Sequence, residues 1–110
     1  FGEQKRDWVF IDDVVRANIF AARSDHTGHE TFNIGCGQAW TFNEIVAAIN
    51  ETLGTSLKPE YIKNFCEAAY QNHTECDISK ARRYLAFEPA YDIKKGIQRY
   101  FECLSRTSAS

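Results

Sequence analysis

The 110-residue sequence has no methionine, only two prolines and no apolar run near the roughly 18 residues that span a bilayer. It also lacks an excess of either charge, because 13 lysines and arginines stand against 15 aspartates and glutamates. This balance provides no basic field for nucleic acid and no polybasic patch for a membrane surface. No charged-then-apolar signal peptide opens the chain. With 44% hydrophobic residues, the composition predicts a globular protein whose partners are neither nucleic acid nor membrane.

The cysteines lack the spacing of a metal or redox motif. Their separations match neither a zinc knuckle nor a Cys-x-x-Cys pair. We therefore predict reduced thiols that behave as small hydrophobic residues of the core in a cytoplasmic protein. These residues are Cys36, Cys66, Cys76 and Cys103.

Hydrophobic periodicity predicts an α/β domain with about four helices and three short strands. The strands are expected at residues 8–11 (WVFI), 31–34 (TFNI) and 57–62 (LKPEYI), and the helices at 13–23, 42–53, 78–85 and 93–104. Such an arrangement is too small to form a doubly wound sheet of its own. We expect a single domain over residues 1–104 and a disordered tail over residues 105–110.

Polar side chains that can accept hydrogen bonds from free amides mark the predicted helix starts. A glycine at the end of the second predicted helix is a typical stop. The starts are Asp12, the capping-box pair Thr41 and Glu44, Asp77 and Asp92, and the stop is Gly54.

Two short motifs suggest dehydrogenase chemistry and fail on closer inspection. The stretch GCGQAW at residues 35–40 resembles the start of Gly-x-Gly-x-x-Gly, but Trp40 occupies the third glycine position. We interpret it as a tight turn. Tyr91 and Lys95 have Tyr-x-x-x-Lys spacing, but Tyr91 precedes the predicted cap Asp92 and therefore lies outside the helix.

A zinc site can be imagined from His26, His29 and Cys36, but these are three ligands around a single loop. Solvated loop histidines are the simpler interpretation. We predict no catalytic, cofactor-binding or metal-ligating residue in this sequence.

Arg6 is the most promising functional residue. It precedes a predicted strand that leads directly into a helix, so its backbone should be held rigidly. A guanidinium fixed in this way presents a planar fork of donors suited to phosphate oxygens.

Several segments resemble the extended short-chain dehydrogenase/reductases, namely the NAD-dependent nucleotide-sugar epimerases and dehydratases. RDWVFIDDVV at residues 6–15 resembles their R-D-[FYW]-x-x-[IV]-x-D-[VL] segment, and FNIGCG at 32–37 resembles their [FY]-N-[IL]-G-x-G turn. DISKA at 77–81, followed by FEP at 87–89, resembles a third segment. The resemblance covers residues 1–104.

One stretch points to a branch of this family. YQNHTECD at residues 70–77 is more similar to the ADP-glycero-manno-heptose 6-epimerases than to the UDP-galactose epimerases, which usually carry an arginine nearby. Here Ala69 stands where that arginine would be expected.

The resemblance implies the C-terminal, substrate-binding lobe of a Rossmann-type epimerase, incomplete without an N-terminal doubly wound domain. By this analogy Arg6 would bind the diphosphate of a nucleotide-diphosphate sugar, and Tyr70 would contact the substrate by stacking or through its hydroxyl. NAD or NADP and the catalytic residues would belong to the other domain, so this piece alone is predicted to be inactive. The whole protein is expected to be a homo-oligomer, and the lack of methionine suits a fragment.

Alternatives remain at this stage. The same features suit a nucleotide-sugar 4,6-dehydratase, or a stand-alone noncatalytic binding module that has kept this fold. A small α/β protein with coincidental similarity is a third interpretation. The nucleotide, the sugar and the choice between NAD and NADP are left open.

Overall fold

The computed structural model describes residues 1–25 and 28–108. Within these residues the chain forms four α-helices and two short strands, which confirms the predicted α/β class. The order is β1 (Lys5–Asp7), α1 (Ile11–Arg23), β2 (Ala39–Thr41), α2 (Phe42–Leu53), a 3₁₀ turn (Glu67–Ala69), α3 (Ser79–Leu85) and α4 (Ile93–Ser108).

The first strand lies between two other segments. β1 pairs antiparallel with β2, with Arg6 opposite Trp40. On its other side Lys5 forms a parallel bridge with His73. There the Lys5 amide donates to the Asn72 carbonyl at 2.8 Å, and the Thr74 amide donates to the Lys5 carbonyl at 3.1 Å. This pairing fixes the segment around residue 73 beside β1.

The three predicted strand positions were wrong. Residues 8–11, 31–34 and 57–62 are not strands, because a strand needs a neighbouring backbone and apolar composition alone does not provide one. The Phe10 carbonyl accepts from the amides of Asp13 and Val14, so α1 already begins at Ile11. Over residues 31–34 the chain instead packs Phe32 and Ile34 against the core.

Two of the four predicted helix caps are present in the structure. The Thr41–Glu44 capping box is present, with reciprocal bonds of 3.0 and 2.7 Å, and the Asp92 carboxylate accepts from the Lys95 amide at 2.8 Å. Gly54 ends α2 in the left-handed conformation at φ 64°, as predicted.

The other two predicted caps were wrong. Asp12 lies inside the first turn of α1, since Phe10 holds the cap position without a side-chain bond. Asp77 accepts from the amide and hydroxyl of Ser79, but Ile78 is the residue at the cap of α3. Each predicted cap lies within two residues of the cap in the structure.

The last helix extends to Ser108, beyond the expected end at Leu104. The hydroxyls of Ser105, Thr107 and Ser108 each donate to the carbonyl four residues earlier, at 2.9 to 3.0 Å. The acceptors are the carbonyls of Phe101, Cys103 and Leu104, so each hydroxyl bonds back to the preceding turn of the helix. The described part of the expected tail is therefore helical, and residues 109–110 lie outside the described residues.

The buried residues form two groups around α1 and α2. The first centres on Phe87 and includes Ala17, Ala81 and Leu85. In the second, α2 packs against α4. Gly96 of α4 has no side chain, and the Phe10 side chain packs against it. None of the described helices is long and apolar enough to cross a membrane.

The molecule is a flat layer. Its principal extents are 48 × 45 × 19 Å, and its radius of gyration is 16.6 Å. A compact domain of this length has a radius of gyration of about 13 Å. A layer this thin leaves much of its apolar surface uncovered.

Candidate functional site

The structure brings the two predicted site residues, Arg6 and Tyr70, into contact. The Arg6 guanidinium carbon lies 5.0 Å from the centroid of the Tyr70 ring. One guanidinium nitrogen donates to the Lys5 carbonyl at 2.7 Å, which restrains the side chain further. Arg6 is half-buried on β1, and the Tyr70 side chain follows the Glu67–Ala69 turn with 37% of its surface exposed. We call these two residues the Arg6–Tyr70 pair.

The charge of Arg6 remains available to a ligand. Its contacts within the described residues are a neutral carbonyl and an aromatic face, and no carboxylate is paired with it there. An arginine stacked on a ring keeps most of its N–H donors directed outward. The arrangement suits binding of an anion.

Asp7, the next residue along β1, joins three segments. Its carboxylate accepts from the amides of Cys36 at 2.7 Å, Gly37 at 2.8 Å and Cys76 at 3.2 Å. We call this contact, formed by Asp7, the turn at residues 35–37 and Cys76, the Asp7 joint. A hollow of about 480 Å³ lies beside it, lined by Asp7 and by residues 32–34 and 74–77.

Sequence reasoning missed Asp7. The predicted strand covered residues 8–11, so nothing in the sequence indicated that Asp7 would lie in a strand, where aspartate is uncommon. The spacing of residues along the sequence does not indicate which backbone amides donate to the Asp7 carboxylate.

The Asp7 joint explains why the glycine-rich turn is not a dinucleotide loop. The amides of Cys36 and Gly37, which would have to face a pyrophosphate, already donate to the Asp7 carboxylate. Gly37 takes φ +74°, a conformation suited to a tight turn. The prediction of a tight turn is confirmed, and the turn does not fit a dinucleotide.

The cysteines are free thiols, as predicted. The prediction that they behave as core residues was wrong for Cys66 and Cys103, which are exposed. Burial and the nearby Asp7 carboxylate raise the pKa of Cys36 and of Cys76. Both thiols are therefore neutral near pH 7 and poor nucleophiles. Neither has the electrostatic setting of a catalytic cysteine.

A second carboxylate that sequence reasoning missed is buried on α1. Asp13 has no exposed surface; it accepts from the amides of Ala90 and Tyr91 at 3.0 Å, and Arg16 pairs with it at 2.7 Å. These bonds hold the turn before α4. The Tyr91 ring packs against Phe10 at 4.7 Å between centroids, so its surroundings are those of a core residue.

The imagined zinc site receives no support. Among residues 1–25 and 28–108, no group of three or more histidine, cysteine or acidic side chains could hold a metal ion. His26 lies outside the described residues.

Comparison with known proteins links this arrangement to the epimerases. A sequence model of the NAD dependent epimerase/dehydratase family matches residues 1–35. A UDP-glucuronate 4-epimerase of Thermodesulfobacterium geofontis is 35% identical over 99 residues, which make up 89% of this chain and 29% of that protein.

Two solved structures share both fold and sequence. The ADP-L-glycero-D-manno-heptose-6-epimerase of Helicobacter pylori is 40% identical with a TM-score of 0.81, over 96% of this chain and 31% of that one. The UDP-glucose 4-epimerase of Thermotoga maritima, solved with UDP-glucose, is 32% identical with a TM-score of 0.85, over 97% of this chain and 33% of that one.

The fold is thus that of one lobe of the Rossmann-type nucleotide-sugar epimerases. In the portion that it spans, the chain is similar in sequence and fold to the NAD-dependent epimerase/dehydratase family. It covers about a third of the length of these relatives. The family's cofactor is NAD by its description, but the glycine turn of this chain does not fit that group.

Proposed function

We propose that this chain is the substrate-binding part of an NAD(P)-dependent nucleotide-sugar epimerase. Arg6 binds the diphosphate, and Tyr70 contacts the substrate beside it. The supporting observation is the Arg6–Tyr70 pair, in which a guanidinium without a carboxylate partner among the described residues lies 5.0 Å from an aromatic centroid. Guanidinium groups form short, charge-assisted hydrogen bonds with phosphate oxygens.

The substrate class follows from what the site offers. A diphosphate carries the negative charge that Arg6 needs, and an anchored diphosphate leaves the attached sugar free to turn. The resemblance at residues 70–77 and the 40% identity to a heptose epimerase favour an ADP-heptose-like substrate. A UDP-sugar is the second candidate, supported by relatives at 32% and 35% identity.

Redox chemistry on the sugar lies outside this chain in the proposal. NAD or NADP supplies the hydride transfer in such enzymes, while the protein binds and orients the sugar. The 110-residue chain alone should bind neither dinucleotide tightly and should not turn over a sugar nucleotide. Epimerase activity detected in this chain would contradict that part of the proposal.

The Arg6→Ala variant tests the diphosphate site. ADP and UDP are titrated into the chain and the affinities are measured by calorimetry. Loss of charge-assisted hydrogen bonds of about 1.5 kcal/mol or more should weaken binding about tenfold.

The matched control is Arg83→Ala. Arg83 also lies over a tyrosine, with its guanidinium carbon 5.3 Å from the Tyr84 centroid on α3. Its removal deletes the same charge from a similar pair, so it should change affinity less than twofold. Equal losses in both variants would show that only net charge matters and would contradict the assigned site.

A further inference from the structure

The Asp7 joint brings three segments together in a tightly packed contact. A Cβ added at Gly35 would lie 2.5 Å from the Cβ of Cys76 and 2.8 Å from a carboxylate oxygen of Asp7. No side chain fits there without a shift of its neighbours. The three amides that Asp7 binds therefore hold a contact with little freedom to move.

The joint is connected directly to both members of the Arg6–Tyr70 pair. Arg6 precedes Asp7 in β1, so the direction of its side chain is set by the strand that Asp7 anchors. Cys76 continues from the segment that pairs with Lys5 and that begins just after Tyr70. Fixing Cys76 to Asp7 therefore fixes Tyr70 relative to Arg6.

We infer that Asp7 is a positioning residue that holds the Arg6–Tyr70 pair in the geometry that binds a nucleoside diphosphate. The inference rests on the proposed function. Asp7 acts through Arg6, because its carboxylate is occupied by internal amides.

Neutralising the Asp7 carboxylate distinguishes a positioning role from a purely electrostatic one, because the two roles predict opposite changes in affinity. Asp7 is an anion adjacent to the cation that would bind phosphate. If it acted only through its charge, its neutralisation would strengthen binding of an anionic ligand. If it acts by positioning, the same change weakens binding.

Asp7→Asn is the decisive variant, because it removes the charge and keeps the shape. An asparagine offers one acceptor oxygen, and its NH₂ group faces amides that also donate. We expect ADP affinity to fall at least fivefold, measured by titration at a temperature where all variants are folded by circular dichroism. Unchanged or tighter binding would overturn the inference.

Asp13→Asn is the matched control. Asp13 also binds backbone amides through a carboxylate, but its partners are Ala90 and Tyr91. Both variants should lower the free energy of unfolding, whereas only Asp7→Asn should change ADP affinity by more than twofold. Equal effects on affinity would mean that general destabilisation explains the loss.

A readout without ligand separates this inference from the proposed function. Protons of the Arg6 side chain above the Tyr70 ring should show upfield ring-current shifts in NMR, measured against Tyr70→Leu. Asp7→Asn should reduce these shifts, and so should Gly35→Ala, which leaves every charge in place. Asp13→Asn should preserve them.

The possible results are distinct. Shifts that persist in Asp7→Asn and Gly35→Ala would overturn the positioning role even if ADP binds. Reduced shifts in a chain that does not bind ADP or UDP would support positioning and contradict the proposed function.

Discussion

The half-buried Asp7 and the buried Asp13 act as acceptors for backbone amides from distant segments. Asp7 accepts hydrogen bonds from the amides of Gly37 and Cys76, and Asp13 accepts them from the amides of Ala90 and Tyr91. Each bond has a charged acceptor, which makes it stronger than a neutral one. At the scale of single residues, these two side chains determine how the loops are held.

Asp13→Asn should destabilise the fold by about 2 kcal/mol. The variant keeps the side-chain volume but loses the charged acceptor for two amides and the pairing with Arg16. Urea unfolding would measure the change. Asp12→Asn, at a half-buried position on the same helix, should change stability by less than about 0.5 kcal/mol; equal losses in the two variants would contradict this account.

Two variants of Tyr70 distinguish its ring from its hydroxyl. The contact with Arg6 is made by the ring face, so Tyr70→Phe should retain most of the affinity for ADP. Tyr70→Leu loses a cation–π interaction of about 0.5–1 kcal/mol and should bind about two- to fivefold more weakly. Calorimetric titration would measure both, and a large loss in Tyr70→Phe would instead indicate recognition through the hydroxyl.

The candidate site was accessible from sequence only in part. Arg6 and Tyr70 were proposed through a resemblance to known motifs, and the structure places them in contact. Asp7 and Asp13 were missed, because amides that converge on one carboxylate from far along the chain leave no periodic pattern in the sequence.

Helices were more predictable than strands at the scale of elements. A helix depends on local hydrogen bonds, so apolar periodicity and the Thr41–Glu44 capping box were sufficient to locate α2. A strand depends on a partner from elsewhere in the chain. The apolar segment at residues 31–34 has strand composition but no neighbouring strand among the described residues.

The capping box of α2 should make the free energy of unfolding depend on pH. Hydrogen bonds from the Thr41 amide and hydroxyl lower the pKa of Glu44 in the folded protein. The stabilisation is thus fully present above the unfolded value of about 4.3 and is lost as the pH falls through the lower folded pKa.

The Glu44→Gln variant tests this dependence. Glutamine also suits a capping box but does not titrate. The stability advantage of the wild type over Glu44→Gln, measured by urea unfolding from pH 7 to pH 3, should be constant at neutral pH and should shrink below pH 4.5. Parallel curves over the whole range would contradict the assignment.

At the scale of the whole molecule, the thin layer exposes apolar surface. Ile11, Val15 and Ile19 follow one another along α1 at helical spacing and are 62%, 49% and 42% exposed. Between the β1–α1 link and α4 lies an apolar hollow of about 370 Å³, and the buried Trp8 Nε1 has no acceptor among the described residues. Exposed apolar area of this kind favours association.

The 110-residue chain should therefore self-associate through α1, with a second copy covering the exposed face. Ile19→Lys places a charge in the apolar row and should shift the protein toward monomer in sedimentation velocity. Ser56→Lys introduces the same charge at an exposed position beyond the end of α2 and should leave association unchanged. A wild type that sediments as a clean monomer at high concentration would contradict the prediction.

The most direct test of the central claim is an NMR titration of the wild-type chain with ADP that follows the Arg6 side chain and the backbone amides. The account predicts that the largest shifts occur at Arg6 and Tyr70, and that the amides of Cys36 and Gly37 move little because Asp7 already binds them. Shifts centred on the turn at residues 35–37, with Arg6 unaffected, would contradict it.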